Sequence, residues 1–176
     1  MQAQTPRYYI VVRDVEGPPG ASSQDAAARL ARTVLLEELG RRPEIVLGGL
    51  PQDHDALRQE LSRRRLRGYQ LTLRLLSVSR ALNPPPPGKQ YRVLERGVRL
   101  TVIGTTLPGD QLAVGGDGES TVQADVGAQV GPHKEQELLL EALRDAIGQA
   151  VQQAIRKLDK GGMVPPQEKP RKKSGQ

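Results

Sequence analysis

Residues 134–158 read KEQELLLEALRDAIGQAVQQAIRKL, and this stretch decides the fold. Leu139, Leu143, Ile147, Ala150, Val151, Ala154, Ile155 and Leu158 recur at steps of three and four. That spacing draws one apolar stripe along a helix. Glu135, Glu137 and Glu141 stand near its start, and Arg156, Lys157 and Lys160 near its end. Both groups suit the helix dipole. So long a stripe has to cover a sheet, and the residues before it supply the strands.

Working back from this helix, RYYIVVRDV (7–15) is apolar on both alternating faces, as an interior strand would be. A helix follows, with Ser22 or Ser23 as its cap, Asp25 in its first turn, and Ala27, Leu30, Ala31, Val34 and Leu35 on its buried side. Gly40 is placed to end it. Pro43–Leu47 is a short strand, and Asp53 caps a short helix through Arg64 with Leu57 and Leu61 one turn apart. From Tyr69 the period becomes two, and the phase slips at Leu75–Leu76, which predicts a bulge. Pro84–Pro87 form a stiff exposed loop. Tyr91–Leu107 is a strand that shifts phase near Gly97, and Pro108–Gly109–Asp110 is a turn. Residues 111–130 form the last strand or strand pair, with Gly115–Gly116–Asp117–Gly118 as a loop tip within it. The order is β-α-β-α-β-β-β-α. It predicts an α/β (α+β) sandwich with a mixed sheet of about five strands and the long C-terminal helix packed on it.

The chain has 176 residues, no Trp, Phe or Cys, and four Tyr, so its core is built from Leu, Val, Ile and Ala. It divides into a flexible lead (1–6), a single domain (7–158) and a disordered, Pro-rich basic tail (159–176). Of the net charge of +6, Lys169, Arg171, Lys172 and Lys173 against Glu168 hold +3. The remaining surplus is spread among mixed-sign positions, unlike the concentrated field of most nucleic-acid binders. Without Cys there is no disulfide, thiol nucleophile or zinc-thiolate site. No stretch approaches the ~20 apolar residues of a membrane span. Gln2–Pro6 is a polar lead into a strand, as in an exported chain whose signal peptide has been replaced by a start Met. It fits an ordinary cytoplasmic terminus equally well.

The element order resembles that of the amino-terminal domain of the Tol-Pal translocation protein, of the lipoprotein activators of penicillin-binding proteins, and of the curli-secretion family. The segments that carry it are YIVVRDVEG, DAAARLARTVLLEELG, PEIVL, GYQLTLRLLSVSR, GVRLTVIGTTLPGDQL and LLLEALRDAIGQAVQQAIRKL, together spanning about residues 7–158. The lipoprotein members carry a lipidated Cys, and their strand connections have no counterpart to Pro84–Pro87; this chain lacks the one and has the other. The resemblance implies a non-catalytic adaptor of the bacterial periplasm or outer membrane, with another envelope protein as its partner.

The residues themselves offer little reactive chemistry. Asp53–His54–Asp55 and His133 are candidate metal ligands or acid–base groups, but their spacing matches no ligand motif, and a cap with solvated neighbours explains them. Gly115–Gly118 lacks the Lys-Ser/Thr and following helix of a phosphate cradle. Ser77 and Ser79 lie on a strand, without a nucleophile elbow. No cofactor or metal is expected. Arg63, Arg64, Arg65 and Arg67 form the strongest basic run. With Lys169, Arg171, Lys172 and Lys173 they are the candidate contacts for an anion or partner, and they support an alternative reading as a nucleic-acid-binding module. The same run also suits a solvated helix end. Tyr8, Tyr9, Tyr69 and Tyr91 fall within strands, where they line the core or its margin rather than a stacking platform.

Overall fold

In a computed structural model, which describes residues 5–20 and 25–161, the chain runs β1 (Tyr8–Glu16), α1 (Ala26–Gly40), β2 (Ile45–Val46), α2 (His54–Arg64), β3 (Arg67–Asn83), β4 (Arg92–Leu107), β5 (Leu112–Val126) and α3 (Pro132–Asp159). The strands form one mixed sheet in the order β2-β1-β3-β4-β5. β1 is parallel to β2 and β3, and the β3–β4 and β4–β5 pairs are antiparallel. This is the α+β arrangement expected from the order of elements, with the long last helix on the sheet. The expected lead and tail fall on residues 1–4 and 162–176, outside the described residues. Residues 159–161, assigned to the tail, instead complete α3 and its closing turn.

The first crossover runs from β1 out to β2, and the second returns from β2 past β1 to β3, so the two run in opposite directions across the sheet. β2 lies on one side of it and β3 on the other. Right-handed connections then place their helices on opposite faces of the sheet. One face carries α1 and α3 over Tyr8, Ile10, Val12, Leu71, Leu73 and the inward row of β4 and β5. The other carries α2, whose Leu57 and Leu61 meet Tyr9 and Leu66. The molecule is thus three layers thick at the β1 end and two layers elsewhere. β1 is apolar on both sides for this reason.

α3 buries a wider stripe than its Leu and Ile alone suggest. Ala142, Ala146, Ala150 and Ala154 lie inside with Leu143, Ile147 and Val151. Ala146, Ala150 and Ala154 are four apart and form a flat ridge, which sits on Gly116 and Gly118 of β5. A Cβ at Gly118 would overlap the Ala146 carbonyl oxygen, and one at Gly116 that of Ala150. The Gly115–Gly118 stretch is therefore not a loop tip. It is continuous strand, paired with Ile103 to Leu100 of β4, and its glycines let a helix backbone approach a strand backbone.

Other local expectations are corrected in the same way. Asp25 is the cap of α1, its carboxylate accepting from the Ala27 amide at 2.9 Å; Ser22 and Ser23 lie outside the described residues. α1 ends on Gly40 with Arg41 in a right-handed conformation, so no left-handed glycine closes it. The β3 bulge is present, because Leu75 pairs with Leu100 and Ser77 with Arg99. Leu76 is the extra, exposed residue, and the inward row resumes at Val78. β4 shows no slip at Gly97: pairing runs unbroken from Val93 to Arg99. The apparent phase change arises because Arg96, a cation, occupies an inward position between Leu94 and Val98. Tyr91 stands just before β4, beside Lys89, and not within the strand. No helix among the described residues is long and apolar enough to cross a membrane.

Candidate functional site

The arginine run lies at the end of α2. Asp53 caps the helix start by accepting from the Ala56 amide at 3.0 Å, and Arg65 closes the helix in the left-handed conformation, with φ of 55°. Arg63 and Arg64 fold back onto Glu60, at 2.6 and 2.5 Å, as neighbours three and four apart on one helix do. Hydrogen bonds from Arg63, then Arg64, hold the Glu60 carboxyl down at about 2. Two of the four cations are thus occupied within their own helix. Lys169, Arg171, Lys172 and Lys173 lie outside the described residues, so the structure does not bring the run and the tail together. His54 begins α2, exposed, with Asp55 at 3.8 Å, and His133 lies in the first turn of α3. Among the described residues no group of three or more His, Cys, Asp or Glu side chains is placed to hold a metal ion.

The register of the sheet builds a second cationic group that no run of sequence announces. Arg80 and Arg96 are direct cross-strand partners on the inward row, and Glu135 in the first turn of α3 reaches both. Arg80 grips Glu135 through Nε at 3.0 Å and Nη2 at 2.6 Å, while Arg96 Nη1 stands 3.5 Å away. The hydrogen bonds from Arg80 hold the Glu135 carboxyl below the usual carboxylate range. The sequence signal was present in the misread phase of β4: a cation at an inward strand position requires a partner.

The outer edge of the sheet is β5, and α3 serves half of it. The Glu119 amide donates to Gln149 Oε1 at 3.3 Å and the Asp117 amide to Gln153 Oε1 at 2.8 Å, while Lys157 Nζ donates to the Gly115 carbonyl at 2.7 Å. Positions 149, 153 and 157 lie one helical turn apart, and 119, 117 and 115 are alternate strand residues. The helix and strand periods meet in a ladder of side-chain caps. Outward backbone groups continue at Thr121, Gln123 and Asp125, because the β4 register is unbroken from Gly118 to Val126. Among the described residues nothing bonds to them. The solvent-facing side chains around them are Glu95, Glu119, Thr121, Gln123 and Asp125, with Arg99 facing Glu119 at 3.8 Å.

At the other end of α3, Asp159 ties the last turn to the first strand. The Tyr8 hydroxyl donates to it at 2.5 Å, and Arg7 pairs with it at 3.1 Å. Burial, then the bond to Asp159, pushes the Tyr8 hydroxyl up to about 12.

No protein-family model matches this sequence, and no curated protein is similar to it. Similarity is found among solved structures. A Xanthomonas campestris protein of a family without assigned function superposes with a TM-score of 0.51 at 8% identity, over 90% of this chain and 91% of that one. A neuraminyllactose-binding hemagglutinin homolog from Helicobacter pylori gives 0.48 at 9% identity, covering 81% and 79% of the two chains. A minor lipoprotein from Acinetobacter baumannii gives 0.40 at 14% identity, covering 89% and 96%. At such identities the likeness to the Xanthomonas protein is one of fold alone.

Proposed function

We propose that this chain is a non-catalytic interaction domain of a bacterial cell envelope, and that it receives an extended, basic segment of a partner protein along Thr121–Asp125 of β5. The observation that carries this reading is the division of the edge. Gln149, Gln153 and Lys157 close its first half, and among the described residues nothing bonds to the next three outward positions. An unpaired strand edge is a template for another strand, so proteins usually cover it. An added strand would bond to the open backbone groups and read the side chains at alternate positions. Glu95, Glu119 and Asp125 favour cations there. The resemblance of the element order to the Tol-Pal domain, the penicillin-binding-protein activators and the curli-secretion family is what suggests an envelope setting.

The test is selection from a displayed library of 12-residue peptides at physiological salt, followed by amide exchange on the complex. The reading expects basic, extended peptides that slow exchange at Thr121, Gln123 and Asp125, and that are lost with Gln123→Pro. Peptides that bind the proline variant equally well would overturn it. So would turnover of a generic ester or phosphate ester by the purified chain. Retention of single-stranded DNA that falls steeply with salt and vanishes with Arg63, Arg64, Arg65 and Arg67 changed to Gln would favour the nucleic-acid reading instead.

A further inference from the structure

A cleft of about 420 Å³ opens where the first turns of α1 and α3 meet over β4. That volume lies in the range of small-molecule sites. Its apolar lining is Ala26, Leu30 and Leu139; its charged groups are Arg29, Arg96 and Glu135, and Thr33 and Gln136 complete the polar side. Glu37 of α1 faces Arg144 of α3 at 3.8 Å, and the cleft joins Arg29 and Leu30 to Gln136 and Leu139. The two helices therefore run side by side in the same direction, with both positive ends at the cleft.

The charges there do not balance. Among the described residues Glu135 is the one carboxylate lining the cleft, and Arg80 takes it with two short bonds. Arg96 keeps a single 3.5 Å contact with it. The Arg96 side chain is only 13% exposed, and its Nε is fully buried with no hydrogen-bond partner. Arg29 makes no ion pair among the described residues. A largely buried guanidinium without a full complement of acceptors calls for an anion, and the apolar lining calls for a hydrocarbon body beside it.

We infer that this cleft binds an aliphatic carboxylate, its head group on Arg96 and Arg29 and its hydrocarbon part against Ala26, Leu30 and Leu139. The site is separate from the β5 edge and stands or falls without it. The experiment is a titration of the full chain with sodium octanoate, followed by amide chemical shifts. Shifts are expected at Ala26, Leu30 and Leu139. Acetate, which has the head alone, and octanol, which has the body alone, should each bind at least about ten-fold more weakly, the worth of one good charged contact. Arg96→Gln should weaken octanoate by a similar factor. Glu135→Gln should tighten it, because the competing carboxylate is gone. Should Arg96→Gln fail to fold, exposed Arg29→Gln carries the same expectation at a few-fold. N-acetyl-leucine binding more tightly than octanoate would keep the chemistry and assign it to a polypeptide's end. Octanol or acetate binding as well as octanoate, shifts confined elsewhere, or Glu135→Gln weakening the complex would each overturn the inference.

Discussion

The two halves of β5 share one strand, one neighbour and one helix above them, yet they are finished differently. From Gly115 to Glu119 the inward side chains are reduced to hydrogen and the outward backbone is capped by Gln149, Gln153 and Lys157. From Thr121 to Asp125 the inward positions carry ordinary side chains, Val122 and Ala124, and no described residue caps the outward backbone. Close approach explains the contrast. Where the Ala146–Ala150–Ala154 ridge presses the α3 backbone onto the strand, three polar side chains of the same helix can reach around to the edge. Where larger side chains intervene, they cannot. Packing inside the sandwich thus decides which part of its rim stays open.

The largest expected effect tests the tucked half. Gly118→Ala forces a methyl into the Ala146 carbonyl and should cost about 3 kcal/mol in urea unfolding, whereas Thr121→Ala should stay within about 0.5 kcal/mol. Equal effects would erase the distinction. Next, changing Gln149 and Gln153 together to Ala should cost roughly 1 kcal/mol per lost bond. It should also make the chain self-associate with concentration, as sedimentation would show, because the edge then lies open from Asp117 to Asp125. Smaller still, Gln123→Pro removes an amide that points to solvent and should leave stability within about 0.5 kcal/mol. Asp117→Pro deletes a capped amide and should cost visibly more.

The gentlest probe is pH, which addresses the two ends of α3 separately. The Glu135 carboxyl, near the open half, is depressed in the fold. Its contribution is present above the ordinary carboxylate range and is lost as pH falls through its folded value. The Tyr8 hydroxyl, at the tucked end, is raised from 10.0 to about 12. Its contribution is complete below pH 10 and is lost as pH climbs toward 12. Glu135→Gln should flatten only the acid limb of a stability profile, and Tyr8→Phe only the alkaline limb.

What could be read from the sequence follows the same line between local and long-range effects. The stripe of α3, the Asp53 cap and the bulge at Leu76 obey periods confined to one element, and all three are where the pattern puts them. Gly115–Gly118 was misleading because turns and close backbone contacts call on the same residue. The spacing of Gly116 and Gly118, two apart, matched to alanines four apart on the helix, was the distinguishing sign. The arginines divide likewise. Arg63–Arg67 are visible as a run and half spent on Glu60 nearby. Arg80 and Arg96 are sixteen positions apart in sequence, and only the β3–β4 register brings them to the same carboxylate. A site assembled by register leaves no contiguous trace.

The clasp of Arg7 and Tyr8 on Asp159 has a mechanical consequence. The described body begins and finishes at a single corner, so a load on either flank would enter at the same spot. α3 spans some 30 Å between that anchorage and the bare stretch of β5, at ~1.5 Å per residue. Seen from that corner, the uncapped stretch of β5 lies at the far end of the molecule's longest rod.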